Sequence, residues 1–396
     1  MIIGQARLTA VSLLFVVTTL ASCGGGGGGD GTTAATSSNS AGSANRSAAA
    51  PDNVAGFAYV TNSGSNDISV YAIDATTGTL SEIAGSPFAG AVSPYSVTVD
   101  PSGKFAYVAN GSSFFSGSVS AFNIDATTGA LTEVAGSPFA TGSFRSSVTI
   151  HPSGKFAYVV NGNFQFSPGN VSAFSINATS GALSEIAGSP FTAGIEAFDV
   201  TVDPSGRFAY VANRGSGDVS AYTINGTTGA LTEIAGSPFA ATGSVQDIIV
   251  DPSGKYAYVA NQGSGEVSAY AINTNTGALS KVAGSPFKAG STPFSVTVDP
   301  SGRFAYAPNY WDGNVSAYTI NAATGALTSI GAVAAGGGPF SVTTDSSGRF
   351  AYVTNSTSAS VSAYTIDASS GALTSVGAAV PAGTRPTAIT TTRKIQ

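Results

Sequence analysis

Phe57-Ala58-Tyr59-Val60 is the first of seven copies of one short apolar segment, and the spacing of these copies decides the fold. The other copies are Phe105-Ala106-Tyr107-Val108, Phe156-Ala157-Tyr158-Val159, Phe208-Ala209-Tyr210-Val211, Tyr256-Ala257-Tyr258-Val259, Phe304-Ala305-Tyr306-Ala307 and Phe350-Ala351-Tyr352-Val353. Their starts are separated by 48, 51, 52, 48, 48 and 46 residues. This period suits a four-stranded propeller blade and exceeds the repeat length of most helical solenoids. Seven copies therefore predict seven blades.

The unit that contains Phe304 shows how four strands fit within one period. Asp299-Pro300-Ser301-Gly302 has the chemistry of a type I turn, because Pro presets φ at the second position and Asp accepts backbone hydrogen bonds. Further along, the Thr324-Gly325 step supplies the positive φ that a tight hairpin needs. The predicted strands of this unit are residues 294–298, 304–307, 315–320 and 326–330.

The two ends of the repeat region complement each other. The first copy starts directly at a strand of the second type, whereas residues 385–391 at the end of the chain match a strand of the first type. Pairing these ends would close the ring and remove two exposed sheet edges. We therefore predict an all-β fold with seven four-stranded antiparallel blades, closed by the C-terminal strand. An open solenoid is the alternative.

Composition excludes several functional classes. Charged residues make up 9% of the chain and the formal net charge is −6, so there is no basic stripe to neutralise a nucleic acid. The single cysteine excludes an intramolecular disulfide and a site of several thiolates. We expect no cofactor and no nucleic-acid partner.

The N-terminal segment predicts export. Arg7 precedes an apolar run over residues 8–20, which is shorter than the ~20 residues of a membrane-spanning helix. Leu20-Ala21-Ser22-Cys23 resembles the lipobox of bacterial lipoproteins, which implies lipidation of Cys23 and anchoring at a membrane of the cell envelope, the outer membrane or the cell surface. An ordinary cleaved signal is the alternative. The predicted domains are a signal peptide (1–23), a Gly/Ser/Thr-rich flexible tether (24–53) and the propeller (54–396).

The repeats also resemble a known family. Tyr59-Val60-Thr61-Asn62 and Tyr352-Val353-Thr354-Asn355 match the YVTN repeat, and the surrounding pattern is similar to that of lactonase-like seven-bladed propellers, which include 6-phosphogluconolactonase. The resemblance covers residues 54–392. It implies the propeller fold, and it implies a lactone-opening activity only weakly because the signature residues occupy turns and core positions.

The two faces of the predicted ring differ in variability. The Asp-Pro-Ser-Gly and Thr-Gly turns, on one face, are nearly uniform, and His151 simply replaces the aspartate of one turn. The loops between second and third strands, on the other face, vary at residues 111–118, 162–170, 214–218 and 310–314. We therefore expect any functional site on the variable face, over the central channel.

Polar residues interrupt the Pro-aromatic pattern at the crossings into the innermost strands. They are Arg145, Glu196, Asp199, Gln246, Asp247 and Arg385. One interpretation is that they converge on a small polar ligand, with arginines binding a carboxylate or phosphate and carboxylates acting as a base or as cation ligands. The alternative is that they are solvated or neutralise one another. No calcium-loop motif appears, so no metal site is predicted.

Aromatic residues in the variable loops form a second candidate surface. Phe114 and Phe115 in one blade, with Phe164 and Phe166 in the next, predict an exposed patch, and Tyr310 and Trp311 lie elsewhere on the ring. Such a patch could stack on sugars or dock a partner, or the two loops could pack on each other.

The leading hypothesis from sequence is a surface-anchored binding or interaction module with unknown catalytic residues. It would bind the membrane through lipid and contact a glycan, an envelope protein or a small lactone. The alternative is a hydrolase that opens a sugar lactone at the channel mouth, and a structural envelope component is a third hypothesis.

Overall fold

In a computed structural model of the chain, residues 53–111, 117–142, 147–162 and 167–393 are described. Every regular element in these ranges is a β-strand, and the strands form seven antiparallel sheets. The all-β, seven-bladed prediction is confirmed. None of the described residues forms a helix of the length and apolar character needed to span a membrane.

The strands are given blade by blade in chain order. Blade 1 begins with β1 (Val54–Asn62), β2 (Asp67–Asp74) and β3 (Leu80–Glu82). Blade 2 contains β4 (Pro94–Val99), β5 (Phe105–Asn110), β6 (Gly117–Ile124), β7 (Leu131–Glu133) and β8 (Phe139–Thr141). Blade 3 contains β9 (Val148–Ile150), β10 (Phe156–Asn161), β11 (Pro168–Ile176), β12 (Leu183–Glu185) and β13 (Phe191–Ile195). Blade 4 contains β14 (Ala197–Val202), β15 (Phe208–Asn213), β16 (Asp218–Ile224), β17 (Leu231–Glu233) and β18 (Phe239–Ala240).

The remaining blades follow the same plan. Blade 5 contains β19 (Val245–Val250), β20 (Tyr256–Asn261), β21 (Glu266–Ile272), β22 (Leu279–Lys281) and β23 (Phe287–Lys288). Blade 6 contains β24 (Thr297–Val298), β25 (Phe304–Asn309), β26 (Asn314–Ile320) and β27 (Leu327–Ala334). Blade 7 contains β28 (Pro339–Thr344), β29 (Phe350–Asn355), β30 (Ser360–Ile366), β31 (Leu373–Ser375) and β32 (Val380–Pro381). The last strand is β33 (Pro386–Thr391).

The outermost position of most blades is built from two short pieces. In blade 2, β7 pairs with the C-terminal half of β6 and β8 pairs with its N-terminal half. The same arrangement occurs in blades 3, 4, 5 and 7. Blade 6 differs, since its fourth strand runs unbroken to Ala334 around a bulge, beyond the predicted end at residue 330. Its predicted first strand is also shorter than expected, because only Thr297–Val298 and an isolated bridge between Pro293 and Asn309 pair with β25.

The ring closes as the sequence predicts. Strand β33 pairs antiparallel with β1, from Ala58 opposite Thr391 to Asn62 opposite Pro386. The first strands of successive blades also pack on one another around the whole circle, in the order β4, β9, β14, β19, β24, β28, β33 and again β4. These strands therefore surround the central channel, and every blade contributes one of them.

Bonds between adjacent blades explain the repeated tyrosine and glycine. The hydroxyl of Tyr59 in blade 1 donates to the carbonyl of Gly129 in the Thr-Gly turn of blade 2, at 3.1 Å. The equivalent tyrosines make the same bond to the next blade, and Tyr352 of blade 7 closes the circle by donating to the Gly78 carbonyl of blade 1. Burial raises the pKa of all seven hydroxyls, so they remain protonated donors.

The turn aspartates also have a structural role. Asp299 Oδ1 accepts from the backbone N–H groups of Arg303 and Phe304, which fastens the turn onto the second strand. His151 substitutes for this aspartate, since its Nδ1 lies 2.7 Å from Ser153 Oγ and its Nε2 lies 2.8 Å from the Gly206 carbonyl of blade 4. The histidine is therefore a turn variant, as expected, and it also contacts the turn of the next blade.

Candidate functional site

The site begins with a bulge near the start of the innermost strands. The pairing register slips between Ala197 and Asp199 in blade 4 and between Val245 and Asp247 in blade 5. The same slip occurs in blades 1, 2 and 7. A bulge re-aims side chains locally, so two consecutive residues face the channel where a regular strand would present only one.

Two cavities follow one another along the channel. The floor cavity has a volume of about 110 Å³ and receives side chains from every blade of the ring. The mouth cavity, of about 330 Å³, lies toward blades 1, 2, 6 and 7. Tyr95, Phe294, Phe340 and Thr387 line both, so the cavities are neighbours that share one wall.

Aromatic rings form most of this shared wall. Phe294 stacks on Phe340 with a centroid distance of 4.3 Å, and Tyr95 meets Phe340 and Phe198 edge-to-face at 5.8 and 5.5 Å. We call Tyr95, Phe198, Phe294 and Phe340 the aromatic collar. Its apolar surface would accommodate the carbon skeleton of a ligand, and polar groups must then come from the residues around it.

A pair of carboxyl groups lies in the floor cavity. Asp199 Oδ1 accepts from Ser147 Oγ at 2.5 Å, and its Oδ2 accepts from the backbone N–H of Ile248 in the next blade at 3.1 Å. Asp247 Oδ2 accepts from the N–H of Val296, one blade further on, at 2.6 Å. Both carboxyl groups are thus held by bonds that cross between blades.

The surroundings of Asp247 favour its protonated form. Burial, the nearby charge of Asp199 and a hydrogen bond between the two side chains raise the pKa of Asp247 well above its usual range. Two carboxylates this close resist ionising together, so the pair keeps one proton to a higher pH than an isolated aspartate does. One member can then act as a base while the other acts as an acid.

Gln246 lies beside this pair and is almost fully buried, with 1% of its surface exposed. Its Nε2 donates to Oε1 of Gln262, while its own Oε1 has no hydrogen-bond partner among the described residues. A buried acceptor without a partner is energetically unfavourable.

The predicted polar residues Glu196 and Arg385 lie outside the floor cavity. Glu196 forms an ion pair with Arg214 at 3.0 Å, and the Arg214 guanidinium also lies 5.3 Å from the ring centre of Phe198. Arg385 is exposed at the mouth cavity, and its guanidinium has no ion pair or hydrogen bond within the described ranges. The structure therefore brings Asp199, Gln246 and Asp247 together, whereas Glu196 is neutralised at the rim.

Some predicted residues lie outside the described residues. These are Arg145, the aromatic residues Phe114, Phe115, Phe164 and Phe166, and Cys23. Tyr310 and Trp311 are described. Tyr310 lines the mouth cavity and contacts Phe294 and Phe340, and Trp311 projects from the rim.

The prediction from sequence missed Arg214, Gln262 and the collar itself. A signal was present, because the residue that follows the asparagine of the repeated second strand lines the mouth cavity in blades 1, 2, 6 and 7. This position is Arg214 in blade 4, Gln262 in blade 5 and Tyr310 in blade 6, but Ser63 in blade 1. Comparison of the seven copies at this one position would have identified Arg214 and Gln262 as departures from the repeat.

No cluster of three or more His, Cys, Asp or Glu side chains suited to a metal occurs in the part of the chain that the structure describes. What the described side chains offer is acid–base chemistry: a carboxyl pair, an apolar collar above it and a cationic side chain at the rim. This combination fits the addition of water to a small, polar, uncharged or anionic molecule.

Comparison with known proteins places the fold within a family. The family described as "Lactonase, 7-bladed beta-propeller" matches residues 31–145, 147–294 and 284–390. A candidate 6-phosphogluconolactonase from Bacteroides uniformis is similar in structure, with a TM-score of 0.74 and 17% identity over 85% of this chain and 100% of that chain. The periplasmic gluconolactonase of Pseudomonas aeruginosa has a TM-score of 0.72 and 20% identity over 86% and 99%.

No curated protein matches the chain. At these identities the solved structures show a common fold and nothing further about chemistry. The family match, however, extends over most of the sequence. The chain therefore belongs to the lactonase family of seven-bladed β-propellers.

Proposed function

We propose that this protein hydrolyses a sugar lactone and that the Asp199–Asp247 pair carries the chemistry. The observation that supports this most strongly is the raised pKa of Asp247 in a cavity that adjoins the open mouth, since perturbed carboxyl groups in clefts are frequent at catalytic sites. Membership of the lactonase family favours the same reaction. The hydrolase, which was the alternative hypothesis from sequence, therefore takes the place of the binding module as the leading one.

The proposed reaction is the addition of water to a cyclic ester. Asp199, as the carboxylate, accepts a proton from a water molecule whose oxygen attacks the lactone carbonyl carbon. The bond between that carbon and the ring oxygen then breaks, and protonated Asp247 gives its proton to the departing oxygen. The product is an open-chain hydroxy acid, and the pair again holds one proton after the carboxyl groups exchange it.

The cavities suit the two reactants. A volume of about 110 Å³ next to the carboxyl pair has room for several water molecules, including an attacking one. The mouth cavity of about 330 Å³ lies at the lower end of the range for small-molecule sites and would take a single sugar ring. Arg385 at its edge would attract a lactone with an anionic substituent.

The test is a hydrolysis assay on the purified protein. The substrates are δ-gluconolactone, its 6-phosphate and an aliphatic δ-lactone, at a mildly acidic pH where spontaneous ring opening is slow. Asp199→Asn and Asp247→Asn should each lower kcat/KM by about 10²-fold or more, because positioned acid–base groups contribute roughly 10²–10⁴-fold. Glu233→Gln on the exposed outer strand β17 is the matched acid control and should have no effect.

Two results would overturn this proposal. One is that none of the lactones is opened faster than in buffer, which would reject hydrolysis itself. The other is that turnover persists undiminished in both aspartate variants, which would reject the Asp199–Asp247 pair as the group that carries it. The second candidate, a binding module, is favoured by the collar and by the neutralised Glu196–Arg214 pair, both of which suit retention of a ligand. Saturable binding of a sugar acid without any turnover would support that candidate instead.

We also propose that the protein works in the cell envelope, attached through lipid on Cys23. The support is the sequence of residues 1–23, with its apolar run and Leu20-Ala21-Ser22-Cys23. Cys23→Ala should move the protein from the membrane fraction to the soluble fraction. Unchanged membrane partitioning of that variant would reject lipid anchoring at this residue.

A further inference from the structure

Trp311 is the single tryptophan of the chain, and 75% of its surface is exposed. It lies in the loop between β25 and β26, on the variable face beside the mouth cavity. The core of the propeller makes no use of this side chain. An indole that stays in water without a packing role is a candidate for contact with a ligand or partner.

The backbone around Trp311 is nevertheless firmly held. The N–H of Tyr310 donates to the Thr292 carbonyl at 3.0 Å, and the N–H of Trp311 donates to the Ser291 carbonyl at 3.3 Å. In the opposite direction, Ser291 N–H donates to Asp312 Oδ2 at 2.8 Å. These three bonds tie the loop to the crossing segment, so the indole is presented at a fixed place on the rim, and binding to it would require little ordering.

A continuous row of rings joins Trp311 to the proposed site. Trp311 meets Tyr310 edge-to-face at 4.9 Å, and Tyr310 meets Phe294 at 5.3 Å. Phe294 stacks on Phe340, which belongs to the collar above the carboxyl pair. A ligand larger than one sugar ring would fill the mouth cavity and continue along this row to the rim.

The surroundings of Trp311 indicate what the occupant is. Among the described residues the other large, exposed apolar side chains are Val92 in blade 2 and Ile330 on the outer strand β27. Neither of these adjoins Trp311 in the chain, so among the described residues the apolar surface at this rim is limited to the row of rings, which is narrow for an acyl chain or a protein partner. Hydroxyl groups are close instead, including the Tyr310 hydroxyl, which lies 3.2 Å from Thr357 Oγ1. An aromatic face next to hydroxyl groups matches a pyranose, which has apolar C–H faces and a rim of hydroxyls.

We infer that Trp311 binds a second sugar ring, so that the preferred substrate is an oligosaccharide whose reducing-end residue is the lactone. This inference rests on the proposed function and extends it. The lactone ring occupies the mouth cavity over the collar, and the glycosidic substituent lies against the indole of Trp311. The product is an oligosaccharide that ends in an aldonic acid.

The sole tryptophan makes a direct binding test possible. The tryptophan fluorescence of the full-length protein is followed while cellobionate, maltobionate or gluconate is added. The first two are the stable, ring-opened acids of disaccharide lactones. At least one disaccharide acid should give a saturable blue shift or intensity change, because the indole leaves water, and gluconate should give a smaller one. The absence of any response to both disaccharides would overturn the inference.

Kinetics provide the second measurement. The ratio of kcat/KM for the responding disaccharide lactone to that for gluconolactone should fall about 10-fold in Trp311→Ala, which corresponds to about 1.4 kcal/mol. Ile330→Ala is the control, because it also shortens an exposed apolar side chain of blade 6 but lies on the outer strand. An unchanged ratio in Trp311→Ala would overturn the inference, as would an equal fall in the control.

The two proposals fail in distinguishable ways. If no lactone is turned over but a disaccharide acid changes the fluorescence, the hydrolase is rejected and the sugar subsite is supported. If lactones are turned over with no fluorescence response to either disaccharide, the hydrolase stands and the subsite is rejected.

Discussion

The two faces of the propeller use the same repeat in opposite ways. On the turn face each blade carries the same side chain at the same place, and the bond it makes joins neighbouring blades, as the seven tyrosine hydroxyls do. On the mouth face the equivalent positions differ from blade to blade. One channel position is Ser96 in blade 2, Asp199 in blade 4, Asp247 in blade 5 and Ala388 in blade 1.

This difference separates structural roles from chemical ones. A residue that recurs in every blade makes a bond that every blade needs, so its repetition is explained by the ring itself. A residue that departs from the repeat is not required by the ring, and its energetic consequences, such as the raised pKa of Asp247, call for another explanation. Three perturbations test this separation.

The largest effect is expected from Gly229→Ala on the turn face. Gly229 has a φ of 75°, and a Cβ there would lie 2.6 Å from the Phe156 ring of the preceding blade. The variant should lower the free energy of unfolding by about 3 kcal/mol, from overpacking and backbone strain together. Denaturant unfolding followed by circular dichroism measures it.

The control for this variant lies three residues earlier in the same turn. Gly226→Ala places its Cβ where no atom lies within 4 Å, and Gly226 does not have a positive φ. It should be neutral or slightly stabilising. Equal losses in the two variants would show that this turn tolerates neither substitution for a reason unrelated to the contact between blades.

A smaller effect is expected from Tyr352→Phe at the ring closure. The change removes the 3.0 Å bond to the Gly78 carbonyl and leaves that buried acceptor without its donor. The free energy of unfolding should fall by about 1–3 kcal/mol. Calorimetry of the two proteins at one pH provides the measurement.

Tyr364→Phe is the matched comparison. Tyr364 donates to the Ala334 carbonyl at 2.8 Å, but the equivalent positions in blades 2 and 3 are already Phe122 and Phe174. The repeat itself therefore tolerates phenylalanine there, and this variant should lose less stability than Tyr352→Phe. The reverse order would break the link between uniformity and structural importance.

An effect that depends on pH, and that vanishes at acid pH, is expected from Asp247→Asn in the floor cavity. The pKa of Asp247 in the folded protein is raised above its ordinary value of 3.8, so the contribution of its protonated form to stability is complete below that value and is lost as pH rises through the folded-state pKa. Asparagine resembles the protonated form and does not titrate. The variant should become more stable than the natural protein as pH rises, by about 1.4 kcal/mol for each unit of pKa elevation.

Melting temperatures of both proteins from acid to neutral pH test this expectation. Glu233→Gln on β17 serves as the reference for losing an exposed acid. A difference in melting temperature between Asp247→Asn and the natural protein that does not vary with pH would contradict a shared proton.

The fold was predictable because its determinants are local and repeated. The Phe-Ala-Tyr-Val copies give the blade number, the Asp-Pro-Ser-Gly and Thr-Gly turns give the strand connections, and residues 385–391 give the closure. Minor errors arose where a blade departs from the repeat. Blades 6 and 7 both lack the Gly-Ser-Pro-Phe segment of blades 1 to 5, and in blade 6 the fourth strand continues to Ala334.

The site was only partly predictable because it depends on contacts between blades. Strand alternation alone would point Phe198 and Asp199 in opposite directions, and only the bulge at this point directs both toward the channel. The ion pair of Glu196 with Arg214 lies within blade 4 and was missed because the two residues are 18 positions apart in sequence, one just before β14 and the other just after β15. The sequence carries no signal for the bulge between Ala197 and Asp199.

The most direct test of a working carboxyl pair is a double-variant cycle measured as kcat/KM for a sugar lactone. Residues that act as one unit do not have additive effects. If the two carboxyl groups share one proton and one reaction, Asp199→Asn, Asp247→Asn and the double variant should all lose activity by a similar factor. A double variant whose loss equals the product of the two single losses would contradict joint action, and full activity in either single variant would place the chemistry elsewhere on the ring.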